Sequence, residues 1–291
     1  MKIRKAVIPA AGFGTRFLPA SKAQPKEMLP IVDTPVVQYV MKEINEAGIQ
    51  DTLMVIGKAK RAIEEHFDRN FELETELIEK KRTEELREIR SISEMGNIFF
   101  VYQKELNGLG DAVRYARDHV GNEPFAVLLG DTIISNKSGR SITAEMIDVY
   151  EKFQAPVILL EEVDPKKVSR YGIVGGKMIE DDIIEIDQLI EKPSVEEAPS
   201  NLAVAGRYIL TPDIFECIDQ TKPGKNGEIQ LTDAMRLLLK RRRFYGLKLN
   251  GTRHDIGNKL DFVKTNVLYA MKREDMGEEI KAFIKDLATK I

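Results

Sequence analysis

The stretch KAVIPAAGFGTRFLPASKAQPKEMLP, residues 5–30, joins an apolar run to a turn with two glycines and a long polar segment. The run Lys5–Pro9 predicts a β-strand, and the glycines of the turn AAGFGTR at residues 10–16 let backbone N–H groups approach an anion closely. The turn is not a dinucleotide fingerprint, because Phe17 stands where that motif has its third glycine, and the sequence contains no P-loop motif. Taken alone, the turn is more typical of a plain connection between a strand and a helix.

The first half of the chain alternates short β-branched runs with amphipathic stretches, which predicts strands joined by crossover helices. The predicted strands are Lys5–Pro9, Thr52–Ile56, Ile98–Tyr102 and Phe125–Leu129, and the predicted helices are Val36–Ala47, Lys60–Arg69 and Asp111–His119. This order predicts an α/β fold with a doubly wound, mainly parallel sheet. Ligands of such sheets bind at the carboxyl ends of the strands.

After about residue 150 the pattern favours strands, which we interpret as β-rich elements inserted into a single domain that covers residues 1–291. The predicted strands are Val157–Leu160, Gly172–Val174, Ile183–Ile190, Ala203–Leu210 and Phe244–Leu249, with helices at Pro212–Asp219 and Ile229–Lys240 and a helical tail over 258–291. The charged segment Glu64–Glu94 is typical of a solvated helical excursion, with a lid or a subunit contact as alternatives.

Composition excludes several classes of function. The 291 residues include 44 Lys and Arg against 47 Asp and Glu, a net charge of −3, which argues against a general nucleic-acid binder. The single cysteine, Cys217, excludes an internal disulfide and a multi-cysteine metal site, and it is typical of a buried small side chain. No apolar run reaches about 18 residues and no signal-peptide pattern follows the first residues. We therefore expect a cytoplasmic protein with neither a membrane nor a nucleic-acid partner.

Two neighbouring motifs, GFGTR at residues 12–16 and PKEMLP at residues 25–30, resemble those of the sugar-1-phosphate nucleotidylyltransferases. More narrowly, LPASKAQPKEMLPIVDTP at residues 18–35 is similar to the prokaryotic UTP–glucose-1-phosphate uridylyltransferases, although Ser21 stands where threonine is expected. The resemblance implies a Rossmann-like nucleotidyltransferase fold in which Arg16 and Lys26 bind the triphosphate. It also implies that the nucleotide contacts the turn after the first strand, at Ala10, Ala11, Gly12, Gly14 and Thr15.

The segment QKELNGLGDA at residues 103–112 is similar to the part of that family that reads the base. A glutamine amide has both a donor and an acceptor for a uracil edge, which suits Gln103, and Gly108 lets the backbone approach closely. Taken alone, Gly108 and Gly110 are typical of the entry to a helix. Asp111 stands where the family often has histidine.

Two acidic residues match the metal-binding positions of the family. Asp131 lies in LLGDT at residues 128–132, and Asp255 lies in HDIGNK at residues 254–259. Without the resemblance, Asp131 could equally be a turn or helix cap. Because Mg²⁺ prefers one or two carboxylates together with substrate phosphates, the resemblance implies magnesium at Asp131 and Asp255.

Sugar recognition is implied by YGIV at residues 171–174 and IEKP at residues 190–193. The implied contacts of the sugar phosphate are Gly172, Glu191, Lys192 and Val204. By composition alone, Glu-Lys-Pro is typical of a surface turn. The element GEIQLTDA at residues 227–234 matches a family segment that opens a helix near the site, and we assign it no direct role.

Together these matches imply that UTP and α-D-glucose 1-phosphate react to give UDP-glucose and pyrophosphate, with Arg16, Lys26 and Lys192 as the catalytic residues. Residues 1–150 would mainly bind the nucleotide and residues 151–257 the sugar. A thymidylyltransferase that uses dTTP and a weakly active regulatory paralogue remain as alternatives. The family also implies a homo-oligomer, a dimer or tetramer, for which the apolar face of Ile280, Phe283, Ile284 and Leu287 offers support.

Overall fold

The computed structural model describes residues 2–224 and 227–290, which form an α/β fold around one large sheet. In chain order its strands are β1 (Lys5–Ala10), β2 (Pro30–Ile31), β3 (Thr34–Pro35), β4 (Asp51–Ile56), β5 (Asn97–Tyr102), β6 (Phe125–Leu128), β7 (Thr132–Asn136), β8 (Val157–Glu162), β9 (Gly172–Glu180), β10 (Ile183–Glu191), β11 (Leu202–Leu210), β12 (Phe244–Lys248) and β13 (Gly251–Asp255).

The helices of the described residues lie on both faces of this sheet and at its ends. They are α1 (Val36–Glu46), α2 (Arg61–Phe67), α3 (Phe71–Glu79), α4 (Thr83–Ser93), α5 (Leu109–Arg114), α6 (Arg117–Val120), α7 (Ile142–Phe153), α8 (Ile214–Gln220), α9 (Leu231–Leu239), α10 (Lys259–Ala270) and α11 (Gly277–Ala288). Within residues 2–224 and 227–290, none of the helices has the length and the apolar character that crossing a membrane requires.

The main sheet has nine strands in the order β5-β4-β1-β6-β11-β8-β12-β10-β9. The first four strands are parallel, as the sequence predicts, and β8 pairs with β12 in parallel. Strands β10 and β11 run against their neighbours, which makes the sheet mixed. The β-rich elements predicted after residue 150 therefore extend the same sheet as the first half.

Alternation of side chains along β1 explains why both faces of the sheet are covered. Ala6 and Ile8 are fully buried in one core layer, which also contains apolar side chains of α1 and α7. Val7 points to the opposite layer, with apolar side chains of α5, α8 and α9. Because successive residues of a strand face opposite sides, the apolar run of β1 is buried on both, which confirms the doubly wound arrangement.

Some local predictions differ from the structure. The helix predicted over Asp111–His119 is divided into α5 and α6. Helix α7 and the antiparallel pair β7–β13 were not predicted. The buried side chain of Cys217 agrees with its expected place in the core.

The charged segment Glu64–Glu94 is a helical excursion, as predicted. Its two central helices, α3 and α4, are joined by Glu74, which accepts hydrogen bonds from Arg69 Nη2 at 2.6 Å and from Arg90 Nε at 2.8 Å. These two guanidinium groups, that of Arg69 foremost, lower the pKa of Glu74 to about 2. The excursion is therefore stabilised by an ionised carboxylate.

We expect Glu74→Gln to destabilise the protein at pH 7, because two guanidinium groups lose their charged acceptor. A carboxyl group whose pKa is lowered by folding stabilises the protein above its unfolded pKa of about 4.3, and that contribution disappears as the pH falls toward the folded value. The difference in the free energy of unfolding between wild type and Glu74→Gln should therefore shrink between pH 5 and pH 3 in urea titrations. Glu65→Gln removes an exposed partner of Arg61 and serves as the control, with a small effect at every pH. A difference that does not change with pH for Glu74→Gln would contradict this role.

Candidate active site

The side chains of Arg16, Asp131 and Asp255, from distant parts of the sequence, lie close together beside Gly257. A Cβ atom added to Gly257 would lie 3.0 Å from Asp255 Oδ1, 3.3 Å from Asp131 Oδ2 and 3.9 Å from Arg16 Nη1. Arg16 follows β1, and Asp131 follows β6, so both come from the carboxyl ends of neighbouring parallel strands. The structure thus brings these three predicted residues together.

Asp131 and Asp255 are brought together by the small sheet of β7 and β13. Thr132, directly after Asp131, pairs with Asp255 in antiparallel register. The backbone N–H of Ile256 donates to the carbonyl oxygen of Asp131 at 3.0 Å. The relative position of the two carboxylates is therefore set by backbone hydrogen bonds.

Lys26 neutralises Asp131 directly. It lies on the short 3-10 helix Lys26–Met28, and its Nζ is 2.5 Å from Asp131 Oδ2. Burial alone would lower the pKa of Lys26, but the carboxylates of Asp131 and Glu27 raise it above its ordinary value. Burial alone would raise the pKa of Asp131, but Lys26 more than offsets this and lowers it. Both groups are therefore charged at neutral pH.

Among the residues that the structure describes, Asp255 has no cation as close to it as Lys26 is to Asp131. Burial first, and then the charge of Asp131, raise its pKa above the ordinary value of an aspartic acid. The N–H of Gly257 donates to Asp255 Oδ1 at 3.0 Å, and Arg253 Nη1 lies 3.8 Å from Oδ2. This repulsion between two fixed carboxylates favours a cation beside them.

The two carboxylates suit Mg²⁺ better than they suit a metal ion that takes all of its ligands from the protein. Within residues 2–224 and 227–290 there is no group of three or more His, Cys, Asp or Glu side chains arranged to hold a metal. Two carboxylates are enough for Mg²⁺ when substrate phosphates complete its shell. Asp131 and Asp255 could therefore hold the cation together with a substrate.

A buried ion pair that we did not foresee supports the segment that carries Asp131. Arg207 is only 1% exposed, although it lies in the apolar strand β11. Its guanidinium donates to the carbonyl oxygen of Thr132 at 2.8 Å and pairs with Glu43 Oε2 of α1 at 2.8 Å. Thr143 also donates to Glu43, at 2.6 Å. An arginine inside an apolar strand pattern is the signal that could have identified this pair.

A cavity of about 600 Å³ opens beside the turn after β1. It is lined by residues of the three segments that follow β1, β4 and β5, among them Ala11, Phe13, Lys22, Lys60 and Gln103. Gly12 has open space around its Cα, and Gly14 has φ +65°, a conformation that favours glycine. Lys60, another residue that we did not foresee, forms a buried pair with Glu27 at 2.7 Å.

Three residues of the predicted base-reading segment, Gln103, Lys104 and Leu106, line this cavity, and Gly108 does not. Gln103 is 6% exposed, and its Nε2 donates to Asp111 Oδ2 at 2.8 Å. Gly108 has φ +101°, and a Cβ there would lie 2.8 Å from Glu228 Cβ. The N–H of Ile229 donates to Asn107 at 2.7 Å, so the element at residues 227–234 packs against the loop that carries Gly108.

A second cavity, of about 450 Å³, lies beside Arg16 and Asp255, and Lys192 is the predicted sugar-phosphate residue that lines it. Its lining residues are Arg16, Arg170, Tyr171, Lys192, Asp255, Gly257, Asn258 and Lys259. Lys192 Nζ lies 3.0 Å from Glu191 Oε1, and a Cβ at Gly172 would lie 3.2 Å from Glu191 Oε2. Glu191, Lys192 and Gly172 therefore lie together. Val204 is half-buried in β11 opposite Leu160 and is not one of the residues that line either cavity.

Comparisons with known proteins match this chain over almost its whole length. The family model described as nucleotidyl transferase matches residues 5–272. A UTP–glucose-1-phosphate uridylyltransferase of Staphylococcus epidermidis is 48% identical over 286 residues, which are 98% of this chain and 99% of that protein.

Solved structures agree with the sequence comparison. A UDP-glucose pyrophosphorylase complexed with UDP-glucose has a TM-score of 0.86 and 44% identity, and the match covers 93% of this chain and 100% of that one. A UTP-bound enzyme of the same kind from Acinetobacter baumannii has a TM-score of 0.91 and 41% identity, with 98% of this chain and 99% of that one covered.

We expect Glu43→Ala to lower the free energy of unfolding by about 3–5 kcal/mol, because it leaves the buried guanidinium of Arg207 without its charge partner. Urea unfolding at pH 7 measures this loss. Glu46→Ala, an exposed position on the same helix, is the matched control and should change stability by less than about 0.5 kcal/mol. Equal effects of the two substitutions would show that the pair does not support the Asp131 segment.

Proposed function

The chain belongs to the nucleotidyl transferase family, and we propose that it transfers the uridylyl group of UTP to α-D-glucose 1-phosphate and releases pyrophosphate. The observation that carries this proposal is the convergence of Arg16, Asp131 and Asp255 on one point. The turn after β1 borders both cavities, so a nucleotide in the larger one and a sugar phosphate in the smaller one would meet at these charges. The similarity to structures with bound UTP and bound UDP-glucose supports the same arrangement.

The reaction needs no covalent group of the protein. A phosphate oxygen of glucose 1-phosphate forms a bond to the α-phosphorus of UTP in line, while the bond from that phosphorus to the oxygen that bridges to the β-phosphate breaks. The electron pair of the broken bond leaves with pyrophosphate. The protein contributes by holding the two phosphates close together and by stabilising the negative charge that develops.

Arg16, Lys26 and Lys192 are the catalytic residues of the proposal. Arg16 and Lys26 bind the triphosphate and the departing pyrophosphate, and Lys192 holds the sugar phosphate. Because nearby carboxylates raise the pKa of Lys26, it acts as a fixed cation and not as a base. A triphosphate oxygen would compete with Asp131 for the Lys26 ammonium group.

The nucleotide is held mainly by residues 1–150. The backbone of Ala10, Ala11, Gly12, Gly14 and Thr15 approaches the phosphates, and Gln103 and Gly108 contact the base. Residues 151–257 mainly bind the sugar, where Glu191 accepts hydrogen bonds from ring hydroxyls. Gly172 and Val204 offer backbone groups there. The tail that begins at residue 258 contains the helices α10 and α11.

Asp131 and Asp255 hold Mg²⁺ in this proposal. When bound, magnesium supplies positive charge that stabilises the oxygens of the reacting phosphates. Burial first, and then the charge of Asp131, raise the pKa of Asp255, and a cation beside the two carboxylates would offset both effects, which supports the proposal.

A homo-oligomer, a dimer or tetramer, is also part of the proposal. Helices α10 and α11 expose large apolar side chains, which supports contact with a second copy: Leu260, Val263, Phe283 and Leu287. A cytoplasmic location remains a prediction from the sequence.

The experiment that tests the function is pyrophosphate release over a matrix of nucleoside triphosphates and sugar 1-phosphates. We expect the highest kcat/KM for UTP with glucose 1-phosphate, and UDP-glucose in equal amount to pyrophosphate. A higher kcat/KM with dTTP would favour the thymidylyltransferase alternative. No product with any pair would favour the regulatory paralogue.

Lys26→Ala should lower kcat by about 10²- to 10³-fold, because a preorganised charge acts most strongly on the charge that develops in the transition state. The KM for UTP should change less. Lys22→Ala, in the same loop, is the control, and steady-state assays should show a milder loss there. Turnover near wild type in Lys26→Ala would remove this residue from the mechanism.

Glu191→Ala should raise the KM for glucose 1-phosphate by about 5- to 150-fold, which corresponds to about 1–3 kcal/mol for an unpaired hydroxyl partner. The KM for UTP should stay nearly unchanged in the same assays. An effect confined to UTP would show that Glu191 faces the other substrate.

Removal of divalent metal with EDTA should abolish turnover, and added Mg²⁺ should restore it. Asp131→Asn should lose most of its activity at every magnesium concentration while its thermal unfolding still shows a folded protein. Full activity in EDTA would contradict the metal site.

A further inference from the structure

The side-chain amide of Gln103 is held in one orientation by a buried carboxylate. Gln103 lines the cavity of about 600 Å³. Its Nε2 donates to Oδ2 of Asp111 at 2.8 Å, and Asp111 is 0% exposed in the first turn of α5. Asp111 itself is not one of the residues that line this cavity, so it acts through Gln103.

An ionised carboxylate can accept hydrogen bonds but cannot donate one. Arg114 Nη2 pairs with the other oxygen of Asp111, which compensates for the burial of its charge. The NH₂ end of the Gln103 amide must therefore face Asp111. The reversed amide would place Gln103 Oε1 against Asp111 Oδ2, and two acceptors at hydrogen-bond distance repel each other.

This fixed amide leaves Oε1 and the second N–H of Nε2 for a ligand. Uracil offers an N3–H donor beside a carbonyl acceptor, which matches that pair. Cytosine offers the inverse pattern, an N3 acceptor beside an amino donor, and would require the reversed amide. A ligand that leaves a buried polar group of the site without a hydrogen-bond partner binds much more weakly.

We propose that Asp111 is a specificity-determining positioning residue, which fixes the Gln103 amide so that the site accepts uracil and rejects cytosine. The proposal rests on the proposed function, since it takes the cavity at Gln103 as the site of the base. It concerns a position where this chain departs from the histidine that the family resemblance leads one to expect.

The test compares UTP with CTP in the wild type and in Asp111→Asn. The wild type should prefer UTP strongly. An asparagine amide can donate as well as accept, so the Gln103 amide can turn for either base. The ratio of kcat/KM for UTP to that for CTP should therefore fall by about 10- to 100-fold, mainly because CTP gains, while kcat with UTP is largely kept.

Asp111→Ser provides a second variant, because a hydroxyl group can also donate or accept, and it should lower the same ratio. Val113→Ala is the matched control: it removes a buried apolar side chain from the same helix and leaves the Gln103–Asp111 pair in place. The ratio should be unchanged in Val113→Ala, even if its unfolding temperature falls. A general destabilisation of α5 would not raise kcat/KM for CTP, so such a rise supports the inference specifically.

Dissociation constants of UTP and CTP, measured by calorimetry, separate this inference from the proposed function. If the wild type binds UTP selectively and Asp111→Asn does so less, the inference is supported even when no turnover is seen. A lack of turnover would contradict only the proposed function. Equal binding of UTP and CTP by the wild type would overturn the inference. So would an unchanged ratio in the folded variants, or equal losses with both nucleotides.

Discussion

The contact between Lys26 and Asp131 joins the first loop of the chain to the end of β6, and the rest of the site depends on it. Both groups lie where burial opposes their charge, and each stabilises the ionised form of the other. The pair leaves Asp255 beside Asp131 without an equally close cation. Asp131 thus has a close cation, whereas Asp255 has Arg253 at 3.8 Å. We propose that a cation and the substrate phosphates bind beside these two carboxylates.

The strands of the main sheet and most of its covering helices, α7 excepted, were predictable because they depend on local patterns. The runs at β1, β4, β5 and β6 predict strands, and all four lie within one residue of their predicted bounds. The pair β7–β13 was not predictable, because its register joins Thr132 to Asp255 across more than a hundred residues. No local pattern encodes such a pairing.

The residues of the candidate site also include some that could be predicted from the sequence and others that could not. Arg16, Lys26, Asp131 and Asp255 were identified by motifs that resemble a known family, and the structure brings them together. The supporting residues, such as Arg207 with Glu43 and Lys60 with Glu27, were missed. A buried ion pair forms only when folding brings two elements together. Arg207 stands out in the sequence because it lies in an apolar strand pattern, but Glu43, Lys60 and Glu27 look like ordinary surface charges.

The central claim is that the protein positions two phosphates for a direct displacement and forms no covalent bond to either. The most direct measurement uses UTP whose α-phosphorus is chiral because one of its oxygens is replaced by sulfur, with the configuration of the UDP-glucose analogue determined afterwards. A single in-line displacement predicts inversion at that phosphorus. Retention would require a uridylyl group bound to the protein as an intermediate and would contradict the account.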